Sequence, residues 1–518
     1  MSDLTRVAET YRRNLPAGGR ARTFAYGGLD RLGVPVAAAS FAFDDGYHFD
    51  GYGYGTTPAE ALVGALGELS EDTHSEATLG RARRVEGSYR DLTRRHGPSG
   101  VCDPLTLGLP AGSAYDPDRP LTWVETTRHA TGEAAWMPIE FVAICRRQLG
   151  DLPLLITPIT NGQGAGMSRE QALAHGLLEL LQRDGNGLAF RAMDRGVVLD
   201  VDLDAVADPS VRALLDRFEA HGVRVIPKLA STEFGLANLY VVGHDADPDA
   251  DLAIKLTACG EAAHPDRERA LRKALLEFGA ARARKAFMHG PLDRVAAASE
   301  PGYLDGYLAT LTLDGEEPRA LAAMVAWLGY PGGRLRAILG ATVLSERSSV
   351  PFASLPTCDA HAVDDPSARL RLIADRLATE GLEVLYADAS PPGGEVFACK
   401  AIVPGLEVET MSYHRIGERG VRKLLDRGSP LVGLGRPPAG CLPVRITAEA
   451  EARLGGPAWL DPAAVDATVG ELYPLYREPS AHAAQVARSA GAAPARRSCN
   501  DRIACIEDFR SEISDIQI

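Results

Sequence analysis

Two stretches of this chain, 111 residues apart, enter a helix in the same way, and a weaker third copy follows. GYGTTPAEALVGALGELSEDT starts at Gly53 and GAGMSREQALAHGLLELLQRD at Gly164. In this register Gly53, Gly55, Ala61, Leu62, Leu66, Glu68 and Leu69 match Gly164, Gly166, Ala172, Leu173, Leu177, Glu179 and Leu180. Thr57 to Glu60 is a capping box with proline at the first helical position, and Ser168 to Gln171 is the same box without the proline. Asp266 can cap a third helix, DRERALRKALLEFGAAR, in which Ala270, Leu271, Leu275 and Glu277 hold the same offsets from the cap. Any fold of this chain must place three helices that start by one device and carry a glutamate eleven residues after the cap.

Around these helices the pattern alternates. The spacing predicts strands about a turn over 23–50, a helix over 57–75, a loop-rich connection over 76–120 and a helix over 168–192. VRVIPKLA, ANLYVVGH and LAIKLTACG read as strands, then a helix over 266–287 and helical stretches at 317–329 and 366–380. EVLYADAS and VFACKAIVPGL form a last strand pair. Alternation of strand and helix makes the class α/β. With 45% hydrophobic residues in 518, a large core can form. From 478 the sequence reads as an Ala/Pro/Arg linker to 498, followed by an acidic tail over 499–518, so 1–477 is expected to hold the fold.

Lys and Arg number 55 against 69 Asp and Glu, a net charge of −14, which argues against a surface that coats nucleic acid or an anionic membrane. No CxxC occurs among the eight cysteines and the start MSDLTRVAETYRRNLP has no apolar core. The expectation is reduced thiols in a cytoplasmic protein. No Walker loop and no G-x-S-x-G elbow is present.

The glutamates carry the chemistry. Glu68 and Glu71 lie three apart on one helix face, as do Glu179 and Gln182. Leucines flank each glutamate, so these faces are expected at the edge of a core, where gathered carboxylates repel unless a cation joins them. Magnesium takes hard oxygen ligands and shares them with substrate phosphates. The Gly-x-Gly turns before the first two helices would let backbone amides approach an anion. His175 and His264 are read as surface or helix-end residues, and His48 as part of an aromatic loop.

Taken in order, these motifs resemble the YcaO superfamily over about residues 25–425. LDRLGVPV resembles its N-terminal strand entry and GYGYGTTPAEALVGALGELSED its first glutamate helix. NGQGAGMSREQALAHGLLELLQRD resembles its asparagine-glycine loop and second helix, and GEAAHPDRERALRKALLEFGAAR its third. VFACKAIVPGLEVE with HRIGERG resembles its closing strand and basic turn. The resemblance implies mixed sheets and helices with three glutamate-bearing helices around a nucleotide cleft. It implies ATP with magnesium, the metal candidates being Glu68, Glu71, Glu179, Gln182 and Glu277. Asn161 is then a nucleotide contact, and Arg183, Arg282, Arg415 and Arg419 are phosphate contacts; no residue is singled out as catalytic. The implied reaction is phosphorylation of a peptide-bond oxygen followed by attack on the activated carbon. The product is an azoline when a Cys, Ser or Thr side chain attacks, a thioamide with sulfide and an amidine with an amine; azoline formation leads. The implied partners are a ribosomally made precursor peptide, a leader-binding or E1-like protein that delivers it, and a second copy in a homodimer, with no nucleic acid and no membrane. Departures from the family pattern are Asp72 for an arginine, Gln182 for a glutamate, Ala280 for a glutamine, Tyr54 for a lysine, and an end at Ile518 without a proline-rich terminus. They set the rival expectation of a catalytically silent scaffold that binds a peptide or partner enzyme.

Overall fold

Each copy of the repeat folds as a strand that turns directly into its capped helix. The computed structural model describes residues 3–44, 46–188, 191–359, 363–408 and 414–491. Strands β1 (Gly19–Ala25), β2 (Val36–Phe43) and β3 (His48–Tyr54) form an antiparallel sheet, and β3 leads into α1 (Pro58–Arg81). β4 (Gln163–Gly166) leads into α2 (Arg169–Asn186), and β5 (Gly260–His264) into α3 (Arg267–His289). β3, β4 and β5 are each the edge strand of a different sheet. β4 ends a sheet that runs Arg84–Ser88, Pro120–Arg128, Leu385–Asp388, Phe397–Ile402, β4. β5 begins one that runs β5, Ala237–Asp245, Val223–Ser231, Val197–Asp200, Ser348–Pro351. The repeat therefore packs three helices against three edge strands and brings the helices together.

The capping boxes form as the sequence predicts. Thr57 Oγ1 accepts from Glu60 N–H at 3.2 Å and Ser168 Oγ from Gln171 N–H at 3.1 Å. Glu60 and Gln171 reach back to the backbone N–H of Thr56 and Met167. Asp266 accepts from Glu268 and Arg269 N–H.

The glycines also have a packing task that the sequence did not show. A Cβ on Gly53 would lie 2.1 Å from the Ala61 carbonyl oxygen, and one on Gly164 would lie 2.0 Å from that of Ala172. One turn further on, Gly51 meets Ala65 and Gly260 meets Ala274, again through helix backbone, at 2.3 and 2.0 Å. These are equivalent positions in the repeat. The missing side chains let each strand lie directly on its own helix, a close approach that only glycine permits.

Other expectations are corrected. α1 continues to Arg81 because its polar stretch is buried, with Ser70, Thr73 and Thr78 hydroxyls bonded back to carbonyls one turn earlier. The 76–120 connection holds a strand, Arg84–Ser88, and a helix, Tyr89–His96. α2 ends at Asn186, six residues early, where Gly187 caps it. Within LAIKLTACG, Ala253–Thr257 is a 3₁₀ turn rather than a strand, and it buries Lys255, which bonds to Asp251 and to the Leu29 carbonyl. Residues 478–491, read as the start of a linker, are packed onto the fold. Ala483–Ser489 is a helix, with Ala483, Ala484 and Ala487 buried among larger side chains. Their smallness hides the pattern in the sequence, since alanine buries little surface per residue. The rest of that linker and the acidic tail, including Cys499 and Cys505, lie outside the described residues.

In the same segment His482 is fully buried between Phe287 and Tyr307. Burial, aided by His289 nearby, pushes its imidazole down to about 4, and burial does the same to His74. Below the ordinary histidine range the unfolded imidazole takes up a proton that the folded one refuses. Stability from these groups is intact above about pH 6.5 and lost as pH falls toward 4. At pH 5 the loss is about 2 kcal/mol for each group. His482→Phe should flatten the fall in stability between pH 7 and pH 5 by about that amount. Denaturant midpoints recorded at both pH values test it: a slope equal to that of the parent protein would refute it.

Candidate functional site

α1, α2 and α3 face one another across an open cavity of about 520 Å³. Helical spacing decides which side chains line it. α1 contributes Gly64, Glu68, Glu71 and Asp72, α2 contributes His175, Glu179, Gln182 and Arg183, and α3 contributes Lys273, Glu277, Ala280 and Arg284. Tyr52 and Tyr54 of β3 close one side. The five expected metal candidates are thus brought together.

Each glutamate is held by one oxygen. Glu68 accepts from Tyr52 N–H at 2.7 Å, Glu179 from Gly162 N–H at 2.9 Å and Glu71 from Ala165 N–H at 3.0 Å; Glu277 accepts from the Tyr54 hydroxyl at 2.7 Å. Among the described residues, the other oxygen of Glu68, Glu71 and Glu277 carries no hydrogen bond. Burial, then Glu68 and Glu179, hold Glu71 well above the ordinary carboxylate range. Burial and Glu68 push Asp72 up to about 7, and Glu68 and Glu277 are also raised, chiefly by burial. Such a set is under electrostatic stress until a cation enters. As the side chains stand, no three described His, Cys, Asp or Glu residues close on a single metal position. The donor set nevertheless fits magnesium, which takes a few carboxylates and completes its shell with water and phosphate oxygen.

Among the expected nucleotide contacts, only Arg183 reaches the cavity, 3.5 Å from Glu179 and 3.3 Å from Glu261. Arg282 is corrected: it is fully buried on the opposite face of α3, bidentate to Asp245 and bonded to Asp30. Five residues after Glu277 is 140° around the helix, whereas Arg284, seven after, returns to the same face. Asn161 donates to the Val408 carbonyl, and Arg415 donates to the carbonyls of Gly108 and Leu107. Both line a separate cavity of about 40 Å³. Arg419 is engaged by Asp184 and Glu233. His175 is exposed, as expected of a surface residue, and it also borders the open cleft with Nε2 3.7 Å from Glu71. His264 stays a helix-end residue, its Nδ1 accepting from Asp266 N–H, and His48 packs on Tyr307.

Four residues escaped the sequence reading. Lys273 and Arg284 lie four before and seven after Glu277, so helical phase alone would have found them. Neither has a carboxylate within 4 Å among the described residues, and Arg284 stacks on Tyr52 at 4.8 Å. Glu261 of β5 is buried and accepts from Asn186, Arg183 and Gln182 side chains at 2.8, 3.3 and 3.4 Å. Burial works against its charge, but Arg183 and Arg191 hold it below the ordinary range. Lys400, wholly buried on the strand beside β4, donates to the Ala143 and Ile159 carbonyls, and burial pushes it down to about 7.

The profile of the family described as YcaO cyclodehydratase, ATP- and Mg2+-binding, matches residues 52–407. An uncharacterized protein of Methanothermobacter thermautotrophicus is 27% identical over 396 residues, 76% of this chain and 90% of its own. An uncharacterized protein in the tfuA 3′ region of Rhizobium leguminosarum bv. trifolii is 24% identical over 410 residues, 76% of this chain and 86% of its own. Among solved structures, YcaO from Methanopyrus kandleri bound with AMPPCP and Mg2+ superposes with a TM-score of 0.54 at 21% identity, covering 80% of this chain and 91% of that one. A heterocyclase in complex with substrate and cofactor gives 0.59 at 16% identity, covering 82% of this chain and 55% of that one. These structures share the mixed α/β fold.

Proposed function

The chain belongs to the YcaO family, which binds ATP and magnesium, and from that premise we propose that it activates backbone amides of a ribosomally made peptide by ATP-dependent phosphorylation and closes azoline rings. The observation that carries the reading is the cleft itself: repelling carboxylates from three helices, with Arg183, Lys273 and Arg284 among them. In this reading Glu68, Glu71, Glu179 and Glu277 hold magnesium, with Gln182 offering a neutral carbonyl. Magnesium bound there supplies the positive charge that a triphosphate needs. Arg183, Lys273 and Arg284 meet phosphate oxygens, while Asn161, Arg282, Arg415 and Arg419 support the walls. The amide oxygen attacks the γ-phosphorus and ADP leaves. A Cys, Ser or Thr side chain then attacks the amide carbon and gives up its S–H or O–H proton, phosphate departs with the former amide oxygen, and the amide N–H proton is lost as the ring's C=N forms. The helices serve this by alignment and charge neutralisation. A peptide-delivering partner protein, a homodimer and a cytoplasmic setting belong to the same proposal. Among the described residues no helix is long and apolar enough to cross a membrane.

Peptide-dependent phosphate release with ATP and magnesium, coupled to loss of one water per ring by mass spectrometry, is the expected result. A thioamide or amidine product would change the mass differently and redirect the proposal. The silent scaffold is favoured by one observation, that the Tyr54 hydroxyl already occupies Glu277 and the Gln182 amide is turned to Glu261. Peptide binding without phosphate release would select it.

A further inference from the structure

We propose that residues 470–491, which lie beyond the family match, brace the cleft from outside, with Tyr476 a positioning residue that acts through Arg191 on Glu261. The inference rests on the reading of the cleft as an ATP–magnesium site. Glu261 occupies in β5 the position that Tyr52 holds in β3 and Gln163 in β4, sixteen residues before each glutamate. It is therefore placed by the repeat against the cleft wall, where it holds Arg183, Gln182 and Asn186. Behind it stands Arg191, 3.9 Å away, whose guanidinium lies over the Tyr476 ring at 5.6 Å. Arg191 has a left-handed backbone, φ 61°, a conformation that costs a non-glycine residue energy and persists only where neighbours hold it. The Tyr476 hydroxyl supplies such a hold by accepting from Ala192 N–H at 3.1 Å. The same segment grips α3. Glu478 accepts from Lys285 at 2.7 Å and pairs with His289, the His482 N–H donates to the Met288 carbonyl at 2.7 Å, and Gln485 donates to that of His289. Arg284 directly precedes Lys285. One segment thus fixes both the α2 side of the cavity, through Arg191 and Glu261, and the last turns of α3.

The test uses the full chain, ATP with magnesium as the probe, and calorimetry alongside thermal melts of the ligand-free protein. Tyr476→Leu and Arg191→Gln should each weaken ATP–magnesium binding by about 10-fold, the scale on which supporting residues around a metal site act. Tyr476→Phe, which keeps the ring over Arg191 but loses the hydroxyl that accepts from Ala192 N–H, should bind between the parent and Tyr476→Leu. The double variant Tyr476→Leu with Arg191→Gln should bind no more weakly than the weaker single, because both act along one path. Parent-like binding in both single variants, or losses that add in the double, would overturn the inference. If Tyr476→Leu does not fold, Arg191→Gln decides, since it leaves the Tyr476 ring in place. A parent protein that binds no ATP–magnesium would overturn the functional reading and this inference together. Parent binding retained by the single variants overturns this inference alone.

Discussion

Glu71→Gln is expected to lower ATP–magnesium affinity by about 100-fold or more while raising the melting temperature of the ligand-free protein. The two effects have opposite signs for one reason. Without a cation, Glu71 is buried beside Glu68, Glu179 and Asp72, which hold it well above the ordinary carboxylate range. A group raised in this way favours the fold while protonated, below its unfolded value, and that benefit is lost as pH rises through the folded value. At neutral pH the ionised carboxylate opposes folding, and glutamine removes that penalty while still accepting from Ala165 N–H. The same substitution removes a charged oxygen from the cation. A direct ligand should cost more than the 10- to 100-fold typical of supporting residues, hence about 100-fold or more. Melts at pH 5.5 and 7.5 should show the variant's gain in stability growing with pH. Calorimetry that found parent-like ATP affinity would remove Glu71 from the metal set.

Gly164→Ala should be strongly destabilising for so small a change. The added Cβ would lie 2.0 Å from the Ala172 carbonyl oxygen and 3.1 Å from the Gly176 nitrogen, all helix backbone that cannot rotate away. Strand and helix must separate, which costs at least about 3 kcal/mol, the upper part of the overpacking range. It also moves Glu179 relative to its hydrogen bond with Gly162. Gly80→Ala in α1 is the control. Nothing lies within 4 Å of its Cβ position in the last turn of the helix, and alanine there should stabilise by up to about 0.5 kcal/mol. Thermal melts of the two variants should move in opposite directions; a Gly164→Ala protein as stable as the parent would refute the close-approach account.

What the sequence made legible follows from local rules. Capping boxes and a repeated apolar period are read within one turn of helix, so the three helix starts, their glutamates and the α/β class came through. The phase of α3 was equally local, yet it decides that Arg284 and not Arg282 faces the cavity. Arg282 belongs to a buried network with Asp30 and Asp245, partners 252 and 37 residues away, which no local pattern contains. Glu261 hides for a similar reason, since its carboxylate gains meaning only when β5 is laid beside α2. The alanines of Ala483–Ser489 look like a linker because their burial depends on large side chains elsewhere, Ala484 sharing a core cluster with Met324 and Trp327.

The cage around Arg282 has a mechanical consequence. α3 is pinned through its middle by Asp30 and Asp245, along its start by the contact of Gly260 with Ala274, and at its end by Glu478. It can neither roll nor slide, so Lys273, Glu277 and Arg284 are graduations on a rigid ruler. Eleven residues separate Lys273 and Arg284, the two of its cations that line the cleft, a span of about 16 Å along the axis. With the helix held in place, the reach of two long side chains, and not movement of α3, must close that distance to a triphosphate. Approach to the phosphates is then a matter of side-chain extension.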